Sequence, residues 1–231
     1  IVYNKAIPVF MDVDDYFNID VKKTKHFLEK CTFSKKGFTY NKKSKNKISA
    51  IIVVHTFGNL ADISSLVKIC KKKNIKIIED AAESLGSFYK STSNKFKHSG
   101  TIGSLGCLSF NGNKILTCGG GGMILTNKKS LADKAKYLAT QAKDDAINFV
   151  HNDIGYNYRM TNIHAAIGVA QLEKINKFLI NKQNIKNQYF KKISNISGIF
   201  LVKSPKYSKS NNWLNLIRIN HKFKKNKKQL I

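Results

Sequence analysis

Runs of apolar residues alternate with segments of helical periodicity along this chain of 231 residues. The run Ile48-Ser-Ala-Ile-Ile-Val-Val-His55 is almost continuously β-branched or apolar, which is typical of a parallel strand buried on both faces. Other apolar runs predict strands at residues 7–14, 75–79, 105–110 and 122–126. The hydrophobic pattern therefore predicts a sheet of several strands.

Segments with a helical repeat separate these strands. Helices are predicted at residues 18–31, 63–73 and 131–141, the second beginning at an Asp62 cap. Residues 159–170 are small and apolar and predict the start of a long helix that continues through about residue 193. The polar stretch 34–47 predicts a linker. Alternating strands and helices favour an α/β fold with a mostly parallel sheet.

Two strand ends carry charged residues that together make a candidate site. Asp80 ends the strand 75–79, and Lys114 follows the strand 105–110 in Ser109-Phe-Asn-Gly-Asn-Lys114, just before the glycines 119–122. Pyridoxal phosphate enzymes need a lysine that forms a Schiff base with the cofactor and a carboxylate that keeps its pyridine nitrogen protonated. We assign these roles to Lys114 and Asp80. The structural alternatives are a helix cap for Asp80 and a plain glycine-rich hairpin around Lys114.

Neighbouring residues extend this candidate site. The small Ala82 would let a flat ring approach, and Glu83 would lie near the ring hydroxyl, although Glu83 also suits a solvated first helical turn. Ser109 and Asn111 offer short hydrogen-bond donors for a phosphate beside the glycines. These residues complete the predicted cofactor set.

A second polar segment is Gly155-Tyr-Asn-Tyr-Arg-Met-Thr161. An arginine directly after two closely spaced tyrosines suggests anion or sugar binding, so Tyr156, Asn157 and Arg159 are candidate ligands; capping of the following helix is the alternative. His55, at a strand end, is a weaker candidate for lining the site, with a structural hydrogen bond as its alternative. The histidines and cysteines show no metal-ligand spacing, and no metal is expected.

The composition changes this picture little. The chain has 41 lysines and arginines against 14 acidic residues, a formal net charge of +27, but its only arginines are Arg159 and Arg218. Arginine is the residue best suited to reading phosphates and bases, so nucleic-acid binding is disfavoured, whereas an anionic sugar nucleotide would suit the positive charge. The cysteines are typical of a reducing compartment, and no apolar run reaches the ~20 residues of a membrane span, so a cytoplasmic protein is expected.

Several motifs resemble those of the DegT/DnrJ/StrS-type sugar-nucleotide aminotransferases over nearly the whole chain. They are Glu79-Asp-Ala-Ala-Glu-Ser-Leu-Gly-Ser-Phe-Tyr89, Gly103 to Lys114 with its glycine run, Tyr156 to Gln171 and Ser210 to Asn215. The segments Gln141 to Asp145 and Val150 to Arg159 are most similar to members that act in legionaminic acid and bacillosamine pathways and to perosamine synthases.

The resemblance implies a pyridoxal phosphate-dependent transferase of fold type I, like aspartate aminotransferase. It implies a homodimer with shared active sites, in which Asn157 reaches the partner's cofactor, and glutamate as the amino donor to a 4-keto-6-deoxy sugar nucleotide of cell-surface glycan synthesis. By motif, Asp80 faces the pyridine nitrogen, Ser109 the phosphate, and Lys114 binds the aldehyde. Glu83 stands where many members carry glutamine. Related dehydratases replace the lysine with histidine, so Lys114 argues against that reaction.

The resemblance also implies how the chain is divided. Residues 1–170 are expected to form part of the large cofactor-binding domain, 171–195 a linking helix, and 196–231 the start of a small α+β domain. The family's N-terminal phosphate loop and most of its small domain have no counterpart, so a fragment is expected. A non-catalytic or truncated protein that keeps the fold for a binding or regulatory role is the alternative to a transaminase.

Overall fold

The computed structural model describes residues 1–90, 95–145, 147–220 and 223. The helices in these residues are α1 (Val21–Lys30), α2 (Ile63–Lys72), α3 (Lys129–Ala139), α4 (Asn162–Leu172) and α5 (Ile175–Ile193). The strands are β1 (Thr32–Lys35), β2 (Phe38–Asn41), β3 (Lys47–Ile48), β4 (Ala50–Val54), β5 (Lys76–Asp80), β6 (Phe88–Lys90), β7 (Phe96–His98), β8 (Leu105–Ser109), β9 (Gly122–Leu125), β10 (Lys143–Asp145), β11 (Val150–His151), β12 (Ile199–Leu201), β13 (Ser208–Lys209) and β14 (Ile217–Ile219).

The central sheet has the strand order β4-β5-β8-β9. The pairs β4–β5 and β5–β8 are parallel, and β8–β9 is antiparallel. This confirms the predicted α/β fold with a mixed, mostly parallel sheet. Because β4, β5 and β8 are parallel, their carboxyl ends meet at one edge of the sheet, which is where such folds place ligand groups.

The main core lies between this sheet and α2. The Asp62 side chain caps α2 by accepting a hydrogen bond from the Ser65 amide, as its sequence predicts. Ile63 and Leu66 of α2 are fully buried beside Val53 and Leu60. Full burial of each such side chain is worth about 1.5–3 kcal/mol, so this contact fixes α2 on one face of the sheet.

The opposite face of β4 is not covered by the described residues. Ile52 and Val54 are each 40% exposed, whereas Val53 is fully buried. The prediction of a strand buried on both faces is therefore wrong for this structure. The physical reason is the two-residue repeat of a strand, which turns Val53 toward α2 and its neighbours away from it.

The expected strand at residues 7–14 is absent. The segment contains one isolated bridge, between Val13 and Ile19, and its side chains at 7, 9 and 10 are exposed. Asp14 accepts hydrogen bonds from the amides of Tyr16 and Asn18, which turns the chain back on itself. Local bonding by an aspartate thus replaces strand pairing here.

The predicted linker at residues 34–47 is instead a small antiparallel sheet of β1, β2 and β3. Lys36 and Gly37 form its two-residue turn, both with positive φ (50° and 76°), the backbone geometry that hairpin turns favour. Phe33 and Tyr40 stack across the pair with ring centroids 5.5 Å apart. The sparse aromatic residues, rather than a regular apolar repeat, stabilise this hairpin.

The long helix predicted from residue 159 is two helices, α4 and α5, which meet at Glu173 and Lys174. The bend brings Ile175 onto a second buried cluster that includes Ala81 and Leu108. Packing onto the sheet therefore outweighs the continuation of one straight helix. Among the described residues, none of the helices has both the length and the apolar character needed to cross a bilayer.

The strands near the end of the chain belong to two further small sheets. Strand β13 pairs with β6, which also pairs with β7, and β12 pairs with β14. The β structure expected after residue 198 is present, but residues 221–222 and 224–231 of the expected small domain lie outside the described part of the chain. The proposed division into domains stays a prediction.

A buried polar group ties β4, β5 and a neighbouring loop together. The Glu79 carboxylate is fully buried and accepts hydrogen bonds from His55 Nε2 (2.9 Å) and from the amides of Gly100, Ile102 and Gly103 (2.8, 2.6 and 2.5 Å). Burial alone raises the pKa of this carboxyl, but the bonds from His55 and the amides hold it below its usual value. The ionised form is thus part of the fold.

We expect Glu79→Gln to lower the free energy of unfolding by about 2–4 kcal/mol, because the buried amides would lose a charged acceptor. A lowered folded pKa means that Glu79 contributes stability above pH ~4.3, and that this contribution disappears as the pH falls through the folded value. Urea unfolding at pH 7 and pH 4 measures both effects. The exposed Glu29→Gln is the matched control. Equal losses in the two variants would contradict this role of Glu79.

Candidate active site

The candidate site lies at the carboxyl edge of the central sheet. Asp80 ends β5, Ser109 ends β8, and His55 follows β4. In the strand register Asp80 lies beside Val54 on one side and Cys107 on the other. Parallel pairing therefore brings the residues predicted from separate strands to one edge.

Lys114 lies in the turn that follows β8. Its amide donates to the Asn111 carbonyl (3.1 Å), and the buried Ile115 and Leu116 anchor the turn. The Lys114 side chain is 15% exposed, and its Nζ lies 3.9 Å from Glu83 Oε1. The lysine is thus held near the sheet edge with its amine close to a carboxylate.

Glu83 connects Lys114 to the loop after β4. Its Oε2 accepts a hydrogen bond from the Phe57 amide (2.6 Å). Phe57 has φ 57° and ψ 23°, a left-handed conformation that is uncommon for a bulky residue. Strained backbone of this kind concentrates at functional sites. The structure therefore gives Glu83 two partners and does not support the alternative of a merely solvated acid.

Asp80 uses one carboxylate oxygen in the hydrogen bonds found among the described residues. Its Oδ1 accepts from the Ala82 amide (3.1 Å), which fixes the carboxylate at the start of the following turn. The ion pairs among the described residues include Lys114 with Glu83 but none made by Asp80. Asp80 therefore makes a local amide bond, as the helix-cap alternative predicts. Its charge, however, has no ion-pair partner among the described residues.

The predicted phosphate residues surround the Lys114 turn. Ser109 Oγ accepts from the Asn111 amide (3.4 Å), and Asn111 is exposed. A Cβ at Gly112 would meet nothing within 4 Å, and Gly119 and Gly121 have φ of 81° and 89°. The positive φ values favour glycine, and the space beside the exposed Gly112 is open.

His55 does not line the site in this structure. Its side chain is fully buried; Nδ1 accepts from the Ala61 amide (3.2 Å) and Nε2 donates to Glu79. With both ring nitrogens engaged, His55 has no atom left for a substrate. The structural hydrogen bond, rather than the weaker prediction of substrate contact, describes this residue.

Tyr156, Asn157 and Arg159 lie together on an exposed segment before α4. The Tyr156 and Tyr158 rings stack 5.3 Å apart, and Arg159 Nε donates to Asn157 Oδ1 at 3.5 Å. Asn157 also forms a bridge with Thr140. The contacts recorded for these residues do not include Lys114 or Asp80, so within one described chain the two groups of candidate residues remain separate.

Two residues without a predicted role belong to the site. The indole of Trp213 lies against Lys114, with Nζ 4.3 Å from the ring centroid. Asn211, nearly fully buried, donates through Nδ2 to the carbonyls of Glu83 (2.9 Å) and Leu85 (2.8 Å). The one signal in the sequence was the family-like string Ser210 to Asn215, which includes the chain's single tryptophan.

These residues fit the donor set of a pyridoxal phosphate site. A primary amine lies at the sheet edge with low exposure, a carboxylate ends the adjoining strand, and hydroxyl and amide groups lie beside glycines with open space. The amine of Lys114 has a carboxylate and a ring face nearby but makes no hydrogen bond within the described part of the chain. It is therefore sterically and chemically available for a covalent link.

Comparisons with known sequences agree with this arrangement. The chain is 36% identical over 96% of its length to a Bacillus subtilis (strain 168) protein named "Putative pyridoxal phosphate-dependent aminotransferase EpsN", covering 53% of that protein. It is 38% identical over 85% of its length to the GDP-perosamine synthase of Escherichia coli O157:H7, covering 48%. The chain spans about half the length of the curated relatives it matches.

Solved structures confirm the predicted fold. A DegT DnrJ EryC1 StrS aminotransferase from Brucella abortus superposes with a TM-score of 0.79 at 26% identity, covering 94% of this chain and 54% of that one. Helicobacter pylori PseC, at 24% identity, gives 0.81 and covers 96% and 55%. The model of the DegT/DnrJ/EryC1/StrS aminotransferase family matches residues 1–231. The chain thus has the fold-type I architecture and belongs to the DegT/DnrJ/EryC1/StrS aminotransferase family.

Proposed function

We propose that the protein is a pyridoxal phosphate-dependent transaminase that transfers an amino group to a sugar nucleotide. The observation that carries the proposal is the placement of Lys114. Its Nζ lies 3.9 Å from Glu83 at the sheet edge where Asp80 ends the adjoining strand. Family membership and the names of the relatives support the same reaction.

When bound, pyridoxal phosphate supplies an aldehyde that captures amines and a ring that stabilises negative charge at the amino donor's α-carbon. Lys114 would hold the cofactor through a covalent bond from Nζ to the aldehyde carbon, and its free Nζ would accept the proton from the donor's α-carbon. The Asp80 carboxylate would keep the ring nitrogen protonated, because its negative charge favours the protonated form. Glu83 lies beside the lysine and orients the amine.

The remaining candidate residues hold the ends of the ligands. Ser109 and Asn111 bind the cofactor phosphate beside Gly112, and Ala82 leaves space for the ring. Tyr156 and Arg159 bind the sugar or the anionic part of the nucleotide. His55 acts indirectly, since its bond to Glu79 fixes the strand that carries Asp80.

The exposed surface of α4 supports the proposal of a homodimer with shared sites. This helix is the most apolar of the chain's described helices, yet Ile163, Val169 and Leu172 are 75%, 58% and 54% exposed. Exposed apolar faces of this kind mark interaction sites. A two-fold partner packed on α4 would bring its own Asn157 segment near this chain's cofactor phosphate.

The substrate is proposed to be a 4-keto-6-deoxy sugar nucleotide, with glutamate as the usual donor, in cell-surface polysaccharide or lipopolysaccharide synthesis. Relatives named GDP-perosamine synthase and UDP-4-amino-4,6-dideoxy-N-acetyl-beta-L-altrosamine transaminase support this substrate class. A chain of net charge +27 also suits an anionic nucleotide. The four cysteines are free, as expected for the cytoplasm where we place the protein.

Lys114→Ala tests the covalent step. In the purified protein, borohydride should trap pyridoxal phosphate on Lys114, and the variant should lose both this adduct and, by at least about 100-fold, amine transfer. Lys129→Ala, an exposed lysine paired with Asp133, is the control. Peptide mapping and turnover measure the two effects. Native turnover in Lys114→Ala would overturn the role proposed for Lys114, whereas neither adduct nor amine transfer in the unaltered protein would favour a non-catalytic role for the fold.

Asp80→Asn separates charge from shape. The amide keeps the volume of the side chain but cannot favour a protonated ring nitrogen, so we expect turnover to fall about 100- to 1000-fold while cofactor affinity changes far less. Equilibrium titration with cofactor and steady-state kinetics measure the two quantities, with Asp133→Asn as the exposed control. A near-native rate would show that Asp80 is a structural cap.

Mixed dimers test the sharing of sites. Lys114→Ala and Asn157→Ala are each expected to be inactive as homodimers. If Asn157 serves the partner subunit, equal mixing places both lesions in one site of each hybrid and restores about a quarter of the native activity. Differently tagged subunits verify the exchange. Complete exchange without recovery would mean that Asn157 serves its own chain.

A further inference from the structure

Each polar group of Trp213 makes a hydrogen bond that fixes the residue in place. Its amide donates to Asn211 Oδ1 (2.9 Å), its carbonyl accepts from Lys182 Nζ (3.3 Å), and its indole Nε1 donates to the Asn113 carbonyl (2.7 Å). The residue is 8% exposed. A buried indole needs a hydrogen-bond partner only for its ring N–H. In Trp213 the backbone amide and the backbone carbonyl are hydrogen-bonded as well.

The residues around Trp213 are fixed in turn. The Asn211 amide donates to Ser87 Oγ (2.9 Å), and its side chain bonds the 83–85 turn. A Cβ on Gly58 would lie 1.9 Å from Asn211 Oδ1, so glycine is required for this close approach. On the other side, Asn212 bonds Gln183 and Lys186 of α5. The segment 211–213 is therefore clamped between α5 and the turn that follows Asp80.

This clamp presents the indole face to Lys114. The Nζ–centroid distance of 4.3 Å lies within the ~6 Å range of cation–π attraction. The lysine side chain is 15% exposed, so solvent screens the attraction only in part. The same indole also holds the main chain of the lysine turn through Asn113. One residue thus restrains both the backbone before Lys114 and the end of its side chain.

We propose that Trp213 is a positioning residue for Lys114. Its face holds the free ammonium beside Glu83, so that the amine stays near the ligand position whenever it is not covalently engaged. The proposal deepens the proposed function and rests on it for its catalytic meaning. The placement of the amine, however, is a property of the cofactor-free chain and can be measured without turnover.

The first experiment uses Trp213 as its own reporter. Because the chain has one tryptophan, the indole emission of the cofactor-free protein reports on the surroundings of Trp213, which include Lys114. Lys114→Met removes the ammonium and should shift the emission wavelength or intensity, whereas Lys134→Met, an exposed lysine paired with Asp153, should not. Identical spectra for native protein and Lys114→Met would overturn the inference, whether or not the protein is a transaminase.

The second experiment measures how fast cofactor-free protein captures pyridoxal phosphate on Lys114, with borohydride trapping and peptide mapping as the readout. Trp213→Phe keeps an aromatic face, and Trp213→Leu keeps only an apolar volume. We expect capture by Trp213→Leu to be about 2- to 30-fold slower than capture by Trp213→Phe, the range that corresponds to a cation–π contact.

The outcomes separate the two proposals. If the native chain does not capture pyridoxal phosphate on Lys114, the proposed function is contradicted. The fluorescence result then decides whether Trp213 positions the amine. Native capture with equal rates for Trp213→Phe and Trp213→Leu would overturn the positioning role while the transaminase proposal stands. Urea unfolding identifies loss of fold in either variant, and the Lys114→Met spectra, recorded on the native indole, then decide the question.

Discussion

The fold around the candidate site depends on one buried carboxylate. Glu79 accepts four hydrogen bonds, from His55 and three loop amides, and these bonds join β4, β5 and residues 100–103. An ionised group without these partners would be too costly to bury, so the pairing must form together with the fold. Because Glu79 immediately precedes Asp80, the same bonds set where the catalytic candidate lies.

The second constraint is the return of the chain to this edge. Asn211 and Trp213 lie about 100 residues or more beyond Asn113 and the 83–87 turn, yet they bond directly to them. Such long-range contacts carry a loop-closure cost, and buried, fully paired polar groups offset it. The site is thus built from three separated segments: the Asp80 turn, the Lys114 turn and residues 211–213.

The sequence predicted correctly those elements that are determined by neighbouring residues. The cap and apolar stripe of α2 and the β-branched run of β4 are decided by neighbouring residues, and both appeared where expected. The sheet edge followed from parallel topology, which brought Asp80 and Ser109 together. The failures have tertiary or turn-level causes. Hydrogen bonds to Asp14 form a turn where a strand was predicted at residues 7–14. Gly37 allows a hairpin turn in the polar stretch that was predicted to be a linker. Packing of Ile175 divides the predicted long helix into two.

The arrangement of charges at the site is the feature that sequence could not supply. The structure pairs Lys114 with Glu83 and leaves Asp80 bonded to the Ala82 amide. A direct Lys114–Asp80 pair would close the space that a planar ring must enter. Because Glu83 and the Trp213 face hold the amine instead, Lys114 stays apart from Asp80, and these are the two groups proposed to act on opposite parts of a cofactor. The carboxylate that stabilises the free lysine is therefore distinct from the one assigned to the ring, and this separation allows both to serve one ligand.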